Sequence, residues 1–294
     1  MPERGFLSRQ RRCGTVRSRL SLGFALALAL TSLSAPAIAQ GQLGADAANP
    51  IASMISVPFE QTIDFGAENG TAYILNIQPV IPIKAGDWNL INRPIIPVAH
   101  VGGFTAGLPG IPTLPEGIPE NVQISGATGL GDINYSLFLS PANSGKVTWG
   151  VGPSISFPTA TDPLLGTEKW SAGPTVVALV QPGSLTVGAL VRQIWSFAGA
   201  ADRSDVSQFM LQPFVNLQLG GGWYLSTSPI LTANWTASAG NKWTVPLGGG
   251  GGKILKLGQQ PVNIRVEAYS NVEVPKGGPD WSAKFTFQLM FPTK

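Results

Sequence analysis

Charge is scarce in this chain. Asp, Glu, Lys and Arg make up 12% of it, about half the roughly 25% of an ordinary soluble domain, and a soluble surface needs such charge to stay dispersed. Histidine and cysteine are nearly absent, with His100 and Cys13 as single copies. That excludes a zinc site of the usual Cys/His type, and no residue pattern points to another metal or a cofactor. Cys13 lies in the first segment, so no disulfide or catalytic thiol remains once that segment is removed. Long apolar runs are missing as well. After Ala39 no uninterrupted stretch reaches the roughly 18 residues of a helical membrane span. Net basic charge is also missing. The first segment holds six of the 19 basic residues and one of the 16 acidic ones, so the formal +3 falls to −2 without it. Nothing there suggests a nucleic-acid partner.

That first segment is built as an export signal. Residues 1–19 carry Arg4, Arg9, Arg11, Arg12, Arg17 and Arg19, and an apolar Leu- and Ala-rich run follows from Leu20 to Leu33. Ala37-Ile38-Ala39 is an A-x-A cleavage site, so residues 1–39 are expected to be a signal peptide and the mature chain to start at Gln40. The alternative is an uncleaved anchor, for which the run is short. Arg11-Arg12 resembles a twin-arginine pair, but Cys13-Gly14-Thr15 continues it poorly, so Sec export is expected. Cys13 precedes the apolar run and is therefore not a lipoprotein acylation site.

In the mature chain, side chains alternate with period two, the mark of strands with two unlike faces. Trp281, Ala283, Phe285, Phe287, Leu289 and Phe291 alternate with Ser282, Lys284, Thr286, Gln288 and Met290. Phe209, Leu211, Pro213, Val215 and Leu217 oppose Gln208, Gln212, Asn216 and Gln218, and residues 147–157 and 262–272 repeat the pattern. The polar faces carry Asn, Gln, Ser, Thr and Gly more than charge, which suits a lumen. About twelve strands are predicted, near 53–65, 71–82, 88–101, 130–140, 146–157, 168–180, 185–196, 206–219, 222–236, 242–255, 260–273 and 280–291. Short links around 85–87, 141–145, 181–184, 220–222 and 257–259 alternate with longer ones around 102–129, 158–167, 197–205 and 274–279. The expected fold is all-β, a transmembrane antiparallel up-and-down β-barrel. It would occupy residues 53–294, after a periplasmic N-terminal segment at 40–52, with both termini on the tight-turn side. The 102–129 link is rich in Gly and Pro and is expected to fold over or into the mouth. Pro79, Pro94, Pro97, Pro153, Pro174, Pro213 and Pro229 fall inside predicted strands and should mark bulges or ends, since each removes a ladder donor.

Polar-face charges are the candidate lumen residues: Glu60, Asp64, Arg192, Arg265, Glu267 and Lys284. Closing the barrel would put the first and last strands side by side and gather Glu60, Lys284, Arg265 and Glu267. Such a cluster either sets selectivity or braces a narrow lumen. Trp88, Trp149, Trp223, Trp281 and Phe291 are candidate membrane-interface aromatics. Phe291, near the end of an amphipathic last strand, also suits recognition by the outer-membrane assembly machinery. Gly248–Gly252 before Lys253 has Ile254 where a phosphate loop needs Ser or Thr. It reads instead as a patch that lets the wall bend or opens lumen space. A serine two positions from His100 would be needed for a local Ser–His pair, and those positions hold Val98 and Gly102. An enzyme is therefore not expected.

Several segments resemble one known family. They are Asn49-Pro50-Ile51-Ala52, Ser56-Val57-Pro58-Phe59, Leu75-Asn76-Ile77-Gln78-Pro79-Val80-Ile81-Pro82, Asp87-Trp88-Asn89-Leu90-Ile91, Gly129-Leu130-Gly131-Asp132-Ile133-Asn134, Trp149-Gly150-Val151-Gly152-Pro153, Leu211-Gln212-Pro213-Phe214-Val215-Asn216 and Pro261-Val262-Asn263. Together these are similar to the bacterial barrels labelled "MetA-pathway of phenol degradation" or transporter, whose members are often misnamed neuromedin U. The resemblance implies a Gram-negative outer membrane, contact with its lipids, and passive uptake of small, hydrophobic or aromatic solutes. It carries no set of site residues. The alternatives are a closed structural or surface-binding barrel with a plugged lumen and, third, a lipid-acting enzyme.

Overall fold

A computed structural model describes residues 37–68, 70–102 and 126–292. The expected signal peptide as far as Pro36 and most of the 102–129 link lie outside them. The first helix, α1 (Ala37–Ala48), runs through the predicted cleavage site and is followed by β1 (Ile55–Ala67), β2 (Gly70–Ile77), β3 (Ile81–Ala85), β4 (Trp88–Val101) and β5 (Ala127–Leu130). Next come β6 (Ile133–Pro141), β7 (Val147–Phe157), β8 (Lys169–Val180), β9 (Leu185–Gly199) and β10 (Ser207–Gly220). The series ends with β11 (Trp223–Thr227), β12 (Leu231–Asn234), β13 (Trp243–Leu257), β14 (Gln260–Glu273) and β15 (Trp281–Phe291). No helix among the described residues is long and apolar enough to cross a membrane.

Three pairs, β2 with β3, β5 with β6 and β11 with β12, each share one stave. The fold is thus a closed antiparallel barrel of twelve staves. Closure comes from β1 and β15, registered from Ile55 opposite Phe291 to Phe65 opposite Trp281. A closed barrel leaves no unpaired edge and satisfies backbone donors within the wall. Exposed Trp149, Val151, Val176, Val191, Leu217, Val266 and Phe285 cover the outside, while Asn134, Ser154, Thr175, Asn216, Asn263, Thr286 and Gln288 are buried inside.

The predicted alternation of tight turns and longer links holds with one correction. β1 and β2 are separated by only two residues, so one connection on the loop side is itself tight. The predicted continuous strands at 71–82, 130–140 and 222–236 are each broken, at 78–80, 131–132 and 228–230. Proline explains two of these breaks, since Pro79 and Pro229 sit inside them. The other five in-strand prolines stay in strands, but each lies where the registered pairs to one neighbour skip. Pro94 lies between the β2 and β3 pairings of β4, and Pro97 between its β5 and β6 pairings. Pro153 lies in a skip of β6 with β7, Pro174 of β8 with β9, and Pro213 between the two halves of the β11/β12 stave. A residue without an N–H is tolerated where no ladder donor is required.

Candidate functional site in the barrel interior

Alternation sends every second side chain inward, and closure brings inward residues from distant parts of the chain together. At the β14–β15–β1 wall, Glu60 sits 3.4 Å from both Lys284 Nζ and Arg265 Nη2, and Arg265 Nε lies 3.2 Å from Glu267. All four side chains are largely buried. The four predicted cluster residues therefore meet, as two acids and two bases. Asp64 is buried two inward positions above Glu60 on β1.

Glu267 has a further partner that periodicity did not reveal. Ser226 Oγ on β11 donates to Glu267 Oε1 at 2.8 Å although β13 stands between them. The intervening position is Gly250, registered with both. In the same way Tyr224 OH donates to Asn263 Oδ1, and the Ser228 N–H donates to Tyr269 OH at 2.8 Å. The glycine run of β13 lets side chains of two non-adjacent staves bond across it. It also lets β13 approach β14 closely, since a Cβ on Gly248 or Gly250 would stand 2.0 or 1.9 Å from a β14 carbonyl oxygen.

The tight-turn end of the interior has an apolar floor. Val80, Ile91, Phe138, Val177, Leu179, Leu190 and Phe214 point inward there and bury Ile51, which follows α1. Gly150 makes room, because a Cβ on it would lie 3.3 Å from Ile51 Cδ1. Leu43 and Ala47 of α1 pack on Met54 and Met290, Gln181 donates to the Ala45 carbonyl at 2.9 Å, and Asn89 donates to Ser53 at 3.1 Å. Residues 43–52, within the segment expected to be periplasmic at 40–52, are packed against the inner wall at this end.

At the other end, the 158–168 link folds inward. Leu165 is buried against Ala72, Ile74, Ala99, Val101 and Ala127. Asp132 holds the link in place: its carboxylate accepts from Ala160 N at 3.2 Å, from Thr167 N at 2.6 Å and from Thr167 Oγ1 at 2.8 Å. Arg203 donates to the Pro163 and Gly166 carbonyls. Of the described links, then, 158–168 enters the mouth.

Between floor and mouth lies a cavity of about 330 Å³ whose wall combines apolar surface with polar side chains, among them Glu60, Asn76, Gln78, Arg93, Asn134, Arg192 and Gln208. Arg192 faces it with no hydrogen bond or ion pair among the described residues, and its Nε is buried. Arg93, which sequence reading missed, donates to Gln78 Oε1 at 3.0 Å. It was hidden because β4 is apolar on both faces, with Ile91 and Ile95 inside and Leu90, Ile96 and Val98 outside, so alternation gave no contrast there.

The candidate interface aromatics lie on the outer face at two levels. Trp88, Trp149, Trp223 and Phe291 are at the tight-turn end, where Trp88 and Trp149 meet edge to face at 6.1 Å. Trp281 is at the loop end, stacked on Phe65 at 4.2 Å, in the same tier as Trp170, Trp195, Trp235 and Trp243. Lys253, which ends the glycine run, lies over the Trp223 ring on the outside. His100 is also outward, with Nδ1 2.7 Å from Thr128 Oγ1, and has no place on the cavity wall.

No protein-family model matches the chain, and no curated protein matches it in sequence. Solved structures do match. An outer-membrane channel from Pseudomonas putida F1 is 13% identical, with 81% of this chain and 94% of that one covered and a TM-score of 0.57. The NanC porin matches with a TM-score of 0.47 at 10% identity, covering 81% of this chain and all of that one. Outer membrane phospholipase A from Escherichia coli gives 0.42 at 14% identity, covering 85% and 98%. The first match shows that the chain has the fold of an outer-membrane β-barrel.

Proposed function

We propose that the chain is an outer-membrane channel for passive passage of small solutes. The observation that carries this reading is the interior itself: a closed barrel enclosing an open cavity of about 330 Å³, lined by polar and apolar side chains together. The outward apolar band between two tiers of aromatics suits a bilayer, with Trp88, Trp149, Trp223, Trp281 and Phe291 at its interfaces with the lipids. On this reading the protein leaves the cytoplasm through Sec, loses residues 1–39, and is inserted by the assembly machinery that reads its last strand. The resemblance to the phenol-degradation barrel family favours hydrophobic or aromatic solutes.

A second reading, a closed binding barrel, is favoured by one observation: Ile51 is buried at the floor among seven wall residues. Single-channel recording of the refolded mature chain in a planar bilayer separates the two. Steady conductance steps in salt are expected from a channel. A folded barrel that stays silent both as wild type and with Ile51→Asp would overturn passage in favour of binding.

A further inference from the structure

The ion-paired cluster at the waist is balanced, because Glu60 and Glu267 are matched by Arg265 and Lys284. Two other inward cations form no ion pair among the described residues. Arg93 on β4 donates to the neutral Gln78 and feels the charge of Glu60 without an ion pair to it, and the buried Nε of Arg192 on β9 has no hydrogen-bond partner among the described residues. Each stands one inward step above a residue of the apolar floor, Ile91 and Leu190 respectively. They are four staves apart around the wall. Both line the same cavity.

Two like charges facing one cavity, one of them with a buried N–H left unused, form an arrangement that an anion completes. Buried donors are ordinarily satisfied, and a guanidinium presents paired N–H groups that match the two oxygens of a carboxylate. The surroundings define the rest of the ligand. Met210 is registered opposite Arg192, Ile194 follows it on the same face, and Ile95 follows Arg93. Apolar walls beside a cationic pair suit an anion attached to an apolar body, and the cavity volume lies within the ~300–1,000 Å³ usual for small-molecule sites.

We infer that Arg93 and Arg192 form a binding site for a small carboxylate with an apolar or aromatic body, held just above the apolar floor. The inference deepens the reading of the cavity as a solute site and rests on it, but binding is measured separately from passage. The test is calorimetric titration of the refolded mature protein in detergent with benzoate, benzyl alcohol and acetate, each against protein-free micelles. Benzoate is expected to bind at least tenfold more tightly than benzyl alcohol, which lacks the charge, and than acetate, which lacks the apolar body. Arg192→Gln and Arg93→Gln should each weaken benzoate at least tenfold, and Arg192→Lys should weaken it less. Heat-modifiable gel migration establishes that each variant is folded, and Arg192→Lys serves if the glutamine variant is not. Equal binding of benzoate and benzyl alcohol, no benzoate binding, or unchanged affinity in folded Arg192→Gln would each overturn the site. Conductance without benzoate preference would overturn this inference and leave the channel standing, whereas benzoate binding by a silent barrel would do the reverse.

Discussion

Ser226 donates to Glu267 at 2.8 Å across an entire intervening strand. The contact exists because the residue between them is Gly250, and it ties the β11/β12 stave to the charged wall at β14. A side chain at Gly250 would meet the Val266 carbonyl at 1.9 Å. Gly250→Ala is therefore expected to lower stability by about 1–3 kcal/mol, the usual cost of overpacking. Gly145→Ala, at a glycine with open space around it, should stay within about 0.5 kcal/mol of wild type. Urea unfolding midpoints in lipid vesicles compare them, and equal midpoints would remove the close-approach role of the glycine run.

Glu60 serves two cations at once across the closing seam. Glu60→Gln leaves Lys284 without its carboxylate and Arg265 with Glu267 alone. Breaking such buried pairs costs about 3–5 kcal/mol, and a wet lumen places the expectation near the lower end. Adding Lys284→Met should restore part of the loss, so the double variant costs less than the sum of the singles. Additivity in the same unfolding assay would mean that the pair does not couple.

Asp132 accepts three hydrogen bonds from the link that enters the mouth. Asp132→Ala should release residues 158–168 while the barrel stays closed. Limited proteolysis of the folded protein is expected to cut the variant within that link and to spare the wild type. Equal resistance would show that Leu165 and Arg203 suffice to hold it.

Ile51 is the floor residue contributed from outside the wall. Ile51→Asp places an unpaired charge in an apolar cluster, which is unfavourable enough to expel the segment. Conductance per molecule is expected to rise severalfold with little change in the unfolding midpoint, because the wall is untouched. Unchanged conductance would move the constriction elsewhere.

The mass of the protein purified from outer membranes checks the leader. An N-terminus at Gln40 is expected, which would remove Ala37–Ala39 from the start of α1. A chain retaining residues 1–39 would favour the anchor.

The twelve staves and most of their inward faces were legible in the sequence because each is a local property. A period of two, with turn residues between runs, marks the elements. One polar face rich in Asn, Gln, Ser and Thr marks the lumen, so alternation alone assigns Glu60, Asp64, Arg192, Arg265, Glu267 and Lys284 inward. The meeting of Glu60 with Lys284 followed from closure alone. Other features depend on pairing between distant segments. Local periodicity could not show that Gly250 would stand between Ser226 and Glu267, or that Asp132 would hold a link some 30 residues further on. It missed Arg93, whose strand is apolar on both faces. It gave no sign that Ile51 would complete the floor, or that 158–168 would enter the mouth. Alternation tells which way a side chain points, but what it touches depends on the stagger and closure of twelve staves, which only the tertiary structure decides.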